Sequence, residues 1–273
     1  MSLLTPASEA EAAEMVRAAR AARTPLEIRG GGTRAGLGRP VQAGSVLSTR
    51  ALSGIVFHEP AELVIRARAG TPMAEIEAAL DAHGQFLPFE PMDHRAIYGS
   101  QGEPTIGAVA ACNISGPRRI IGGAARDALI GVRFVNGLGA PIQSGGRVMK
   151  NVTGLDLVKL SAGAHGVLGL LTEVTFKLLP KPKQQRTIAL RGLDDASAIA
   201  ALTAGLGSPF SVTGAAHAPG GATALRLEGF PESLDYRGAR LMALLAPQGE
   251  AVWMGEDEAR AFWRDIRDVR PLA

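Results

Sequence analysis

Three stretches of this chain combine glycine with short polar side chains at spacings that let backbone approach a ligand closely. The first is Arg29-Gly30-Gly31-Gly32-Thr33, followed by Gly36 and Gly38. Consecutive glycines let several N–H groups converge on one anion, and a threonine hydroxyl adds a donor, so the natural guest is a phosphate or pyrophosphate. A glycine-rich surface turn would use the same residues with no guest. The second stretch runs from Glu103-Pro104-Thr105-Ile106-Gly107-Ala108 to Asn113-Ile114-Ser115-Gly116. Small residues there admit a flat ligand against backbone, with Thr105, Asn113 and Ser115 as polar contacts; the competing reading is a helix packed tightly between sheets. The third, Gly145 to Pro180, carries Gly145, Gly146, Gly154, Gly163, Gly166 and Gly169 around His165, and ends in an apolar, strand-like run.

Other chemistry is thinner. His58, His83, His94, His165 and His217 show no metal-ligand spacing, so no metal site is expected. Cys112 is the single cysteine, which excludes an intrachain disulfide or a cysteine-based cluster and suits a small buried hydrophobe. Arg118-Arg119 offers bidentate donors for a carboxylate, but a surface pair or a partner contact is the favoured reading. Arg126-Asp127, in a turn before a strand, reads as structural. There is no G-x-x-x-x-G-K-[ST] and no G-x-G-x-x-G opening a helix, so a Rossmann site is a poor fit. No catalytic residue is assigned.

The elements that must position these loops are legible in outline. Ser8–Arg23 is alanine-rich with a Ser-x-x-Glu capping box and reads as a helix; Pro72–His83 reads as a second, capped by Thr71 and stopped by Gly84. Leu26–Arg29, Val46–Leu47, Ile55–His58, Leu63–Ala67, Leu129–Asn136 and Leu171–Leu179 read as strands, and Ile106–Cys112 as a short packed helix. Pro180-Lys181-Pro182-Lys183 is the expected boundary, since paired prolines favour extended, exposed chain. Beyond it, Gln185–Arg191, Asp194–Gly205, Phe210–His217, Ala222–Glu228, Pro231–Ala246 and Glu250–Met254 alternate as strand, helix, strand, strand, helix, strand, the order of a ferredoxin-like unit, with a last helix from Glu256 to Pro271. Of the 273 residues, 46% are hydrophobic, 20% charged and 4% aromatic, with a net charge of +3. That is a globular balance with neither the basic patch nor the aromatic platforms of a nucleic-acid binder. No apolar run is long enough for a transmembrane span and there is no secretory signal, so a cytoplasmic location is expected.

The ordered set of three loops resembles the FAD-binding domain of the vanillyl-alcohol-oxidase (PCMH-type) flavoproteins. RGGGT resembles that family's pyrophosphate loop and PTIGAVAACNISG its P-T-x-G-G segment. Lys150-Asn151-x-x-Gly154-x-Asp156-Leu157, followed by Gly166 to Glu173, resembles its K-N-x-x-G-Y-D-L … G-x-L-G-I-I-T-E signature. Ala108 stands where the family has glycine and Leu155 where it has tyrosine. Gly116-Pro117-Arg118-Arg119, Val148-Met149-Lys150-Asn151 and the Leu178-Leu179-Pro180-Lys181-Pro182 exit are closer to the FAD-binding E subunits of bacterial glycolate oxidases. The resemblance implies an α+β fold: a two-lobed PCMH-type FAD-binding domain over residues 1–182, then a ferredoxin-like cap over 183–273. The cap reads as unfinished, because related chains continue and return to the FAD domain. The resemblance further implies non-covalent FAD held by Arg29, Gly30, Gly31, Gly32, Thr33, Pro91, Thr105, Ile106, Gly107, Asn113, Ser115, Gly116, Gly166, Val167 and Gly169, with His94 the nearest candidate for covalent attachment. It implies a complex with a second flavoprotein subunit and an iron–sulfur subunit, acting on a small 2-hydroxy acid, with peripheral attachment to the inner membrane through that complex as one arrangement. A non-catalytic assembly subunit, or another flavin oxidoreductase of the same fold, is the alternative.

Overall fold

The computed structural model describes residues 2–146 and 154–270. The Val148-Met149-Lys150-Asn151 motif and Pro271 lie outside the described residues. The chain forms two compact units, one of Met1–Ser115 with Gly123–Pro180, the other of Gly116–Gly122 with Lys181–Ala273.

In the first unit β1 (Ser2–Leu4), β2 (Leu26–Arg29) and β3 (Ser45–Ser48) form a parallel sheet in the order β1-β3-β2. Ser2–Leu4, assigned to no element from the sequence, is therefore a strand. β4 (Ile55–Glu59), β5 (Val64–Arg68), β7 (Leu129–Val135), β8 (Pro141–Gly145) and β9 (Leu170–Lys177) form an antiparallel sheet ordered β4-β5-β9-β7-β8, and β6 (Gln85–Phe86) pairs with β10 (Leu179–Pro180). β9 is buried almost throughout because both its faces are covered. Leu171, Val174 and Phe176 join the main core with Ile76, Leu80, Ile106 and Val109, whereas Leu170 packs with Ala12, Ala13 and Leu47.

The helix Glu9–Ala21 starts at Ser8, whose side chain accepts the Glu11 N–H. The reciprocal half of the expected capping box is displaced: Glu11 accepts from the Ala7 N–H at 2.9 Å. Glu9 ties the helix start to the large sheet by accepting from Thr172 Oγ1 at 2.6 Å and from Arg133 Nε at 3.2 Å. The second helix, Met73–Asp81, begins at Pro72 with no side-chain cap. Thr71 is not its cap, because that hydroxyl donates to the Arg68 carbonyl at 2.7 Å and accepts the Gly54 N–H at 2.9 Å, closing the turn before the helix.

The second unit is a four-stranded antiparallel sheet of β11 (Gln184–Arg191), β12 (Gly214–His217), β13 (Ala222–Gly229) and β14 (Ala251–Trp253). Its order, β12-β13-β11-β14, is the ferredoxin-like one. Alternation sorts the faces. Ile188, Leu190, Leu225 and Leu227 pack under the helices Asp195–Leu206 and Pro231–Leu245. Ala189 and Ala224 face Ala259 and Trp263 of the last helix, Glu256–Arg267. Trp263 Nε1 donates to Thr187 Oγ1 at 2.9 Å, giving the buried indole its partner.

Candidate cofactor cleft

All three glycine-bearing stretches contribute to one cleft of about 620 Å³ in the first unit, a size usual for cofactor sites. Its walls include Arg29 at the end of β2, Gly30, Gly32 and Thr33 from the loop that follows, Gly107 and Ala108 from the helix Ile106–Ala111, and Gly166 and Val167 before β9. Among the described residues the N–H groups of Gly32 and Thr33 donate to no backbone acceptor. Gly32 is left-handed, at φ 78°. A side chain on Gly107 would collide with Ala69 Cβ at 2.5 Å, so glycine is what brings helix and strand end together at the cleft floor. Val167 is 82% exposed and forms part of the rim. Arg29 also lines the cleft, but its guanidinium is engaged by Glu27 at 2.6 Å.

The remaining named residues lie elsewhere, each for a local reason. Gly31 packs against the Glu103 backbone, where a Cβ would overlap the carbonyl oxygen. Gly169, at φ 155°, passes close to the Val135 carbonyl of β7. Thr105 and Ile106 are buried beneath the cleft wall, with the Thr105 hydroxyl directed at Gly30 and lacking a partner. Asn113 Oδ1 accepts the Arg126 N–H at 2.8 Å and Ser115 Oγ accepts the Ala125 N–H at 3.1 Å. Both cap the short helix Ala125–Ala128, as such side chains do. Pro91 is half-buried and outside the lining, and Gly116 packs with the second unit. The Arg118-Arg119 pair divides. Arg119 is exposed, whereas Arg118 is buried and ion-paired to Glu228 at 2.6 Å within the second unit, which overturns the surface reading for Arg118.

Several lining residues escaped the sequence reading: Ile28, Arg34, Leu37, Thr49, Ala69 and Leu171. Cys112 and His165 line the cleft as well. Cys112 is half-buried, and burial raises its thiol pKa, so it is present as the neutral and poorly nucleophilic thiol. His94 is buried and accepts from Arg34 Nε through Nδ1 at 3.2 Å. It is not among the lining residues. No group of acidic, histidine or cysteine side chains among the described residues could hold a metal ion.

A glycine loop with free amide donors, a backbone-lined floor and a buried guanidinium suit an elongated anionic cofactor. The model for an FAD binding domain matches residues 2–145, over half of the chain. The chain belongs to the FAD-binding-domain family. This FAD-binding protein is 40% identical over 255 residues to "Glycolate oxidase subunit GlcE" of Escherichia coli (strain K12), covering 93% of this chain and 67% of that one. It is 32% identical over 167 residues to "Glycolate oxidase subunit GlcD" of Bacillus subtilis (strain 168), covering 61% of this chain but 34% of that subunit. The fold of the FAD-binding protein is also that of a solved alkyldihydroxyacetonephosphate synthase, with a TM-score of 0.74 at 16% identity over 98% of this chain and 55% of that one.

Proposed function

We propose that this FAD-binding chain is a subunit of a glycolate-oxidase-like complex that oxidises a small 2-hydroxy acid to the 2-oxo acid and passes the two electrons toward an iron–sulfur partner. The observation that carries the proposal is the meeting of the Gly30–Thr33 loop, Gly107 and Gly166-Val167 around one cleft, in a chain 40% identical to a glycolate oxidase subunit. FAD, when bound, supplies the two-electron acceptor; the protein binds and orients it. The amide donors of Gly32 and Thr33 hold its diphosphate, and Gly107, Gly166 and Val167 flank the rest. Non-covalent attachment is supported by burial, which keeps the Cys112 thiol neutral, and by the position of His94 outside the cleft lining. No helix among the described residues is long and apolar enough to cross a membrane, which suits a cytoplasmic subunit held at the inner membrane only through its partners.

The test is spectroscopic. The purified protein should be yellow or take up FAD, and the bound flavin should bleach anaerobically with glycolate or D-lactate when the partner subunits are present. A colourless protein that FAD cannot reconstitute would remove the cofactor. Flavin that is bound but never reduced, alone or in the complex, would make this an assembly subunit.

A further inference from the structure

Arg34 directly follows the glycine loop, lines the cleft and is only 9% exposed. Its Nε donates to His94 Nδ1 at 3.2 Å and its Nη2 to the Met92 carbonyl at 3.4 Å, while the buried Nη1 has no hydrogen-bond partner. No carboxylate forms an ion pair with Arg34 among the described residues. Asp93 attracts it electrostatically but is itself paired with Arg95 at 2.8 Å. Withdrawing a guanidinium from water without a counter-ion is unfavourable, and such groups are retained where an anion completes them. The two tethers hold this charge beneath the cleft instead of letting it extend into solvent.

We propose that Arg34 is the cationic anchor for a phosphate oxygen of the FAD diphosphate, adding side-chain charge to the neutral amide donors of Gly32 and Thr33. This assignment rests on the FAD reading above. It makes Arg34 a determinant of which flavin the cleft takes: a dinucleotide with its diphosphate in preference to riboflavin. Burial lowers the Arg34 pKa, the direction set by desolvation, but a guanidinium stays charged at any physiological pH. The charge is therefore permanent, and the ligand must answer it.

The experiment titrates FAD and riboflavin, both oxidised and without substrate, into the flavin-free full chain of wild type, Arg34→Met and Arg34→Lys, and records the melting temperature of each apo form. Arg34→Met should weaken FAD binding by roughly 30-fold or more, the scale of losing one partner of a buried charged hydrogen bond. Riboflavin binding should be unchanged, and the apo melting temperature should hold or rise, because the removed charge had no counter-ion. Arg34→Lys should recover part of the FAD affinity, since it restores charge without the fork. Should Arg34→Met fail to fold, a selective loss for FAD over riboflavin in Arg34→Lys carries the assignment. Unchanged FAD affinity with a lowered apo melting temperature would overturn it in favour of a structural arginine. Equal losses for FAD and riboflavin would overturn it in favour of a contact to the ring. Wild type that binds no FAD at all would instead remove the cofactor reading, and this proposal with it.

Discussion

The two units treat buried charge in opposite ways. In the second unit the buried charges answer one another. Arg118 pairs with Glu228 at 2.6 Å, Arg226 lies 3.7 Å from the same carboxylate and 4.7 Å over the Trp263 ring, and Asp268 pairs with Arg267 at 2.7 Å. In the first unit the buried Arg34 forms no ion pair with a carboxylate among the described residues. Buried guanidinium groups that share a carboxylate are neutralised by the unit's own folding. A buried guanidinium that lines a cleft with no carboxylate beside it is a place for an anionic ligand, because an uncompensated buried charge is unfavourable.

The sharpest way to break this contrast is Glu228→Ala. It strips the carboxylate from two buried guanidinium groups, and should destabilise the second unit by about 3–5 kcal/mol in urea or thermal unfolding. FAD affinity per folded molecule should not change; a parallel loss of affinity would show that the closed unit is not self-contained. Next in size is Gly31→Val. Its Cβ would overlap the Glu103 carbonyl, so the loop and the Glu103 segment must separate, at about 1–3 kcal/mol of overpacking. Flavin retention, read as absorbance after gel filtration, should fall because the donors of Gly32 and Thr33 move. Normal loading would mean that the loop does not hold the diphosphate.

The smallest effect concerns pH. Burial pushes the Glu9 pKa up, but hydrogen bonds from Arg133 and Thr172 outweigh it and leave the carboxyl below its ordinary value of 4.5. A depressed folded-state pKa contributes stability that is complete above the unfolded value and is lost as pH falls through the folded one. Glu9 is half-buried at the edge of the sheet and its partner Arg133 is partly exposed, so the contribution should stay near or below about 1 kcal/mol. Glu9→Gln should flatten the acid limb of the stability curve below pH 4.5 and leave neutral-pH flavin binding unaltered. An unchanged acid limb would remove the tie between the first helix and the large sheet.

Much of the fold was legible because periodicity and punctuation agree with burial. Strand alternation, Ser8 and Asp194 as helix caps, and the strand–helix order after Pro180 all act over a few residues. The weaker readings fail at the same physical point: local chemistry does not reveal which neighbour a side chain meets. Asn113 and Ser115 look like ligand contacts but cap a helix ten or more residues away. Thr71 looks like a cap but closes a turn with Gly54. Arg34 carries no signal in the sequence, because nothing in its neighbours announces that it is buried.

By itself, the amino-acid sequence determined the three glycine-bearing loops, their order and the ferredoxin-like alternation, since these rest on backbone freedom and on patterns of period 2 and 3.6. Only the tertiary structure decided which glycines face the cleft and which serve packing. Gly32, Gly107 and Gly166 line it, whereas Gly31 and Gly169 make room for the backbone of Glu103 and Val135. It also decided that Arg34 is the buried charge left open. Those outcomes depend on contacts between residues distant in the chain, where burial and counter-charge are set by packing and not by neighbours in sequence.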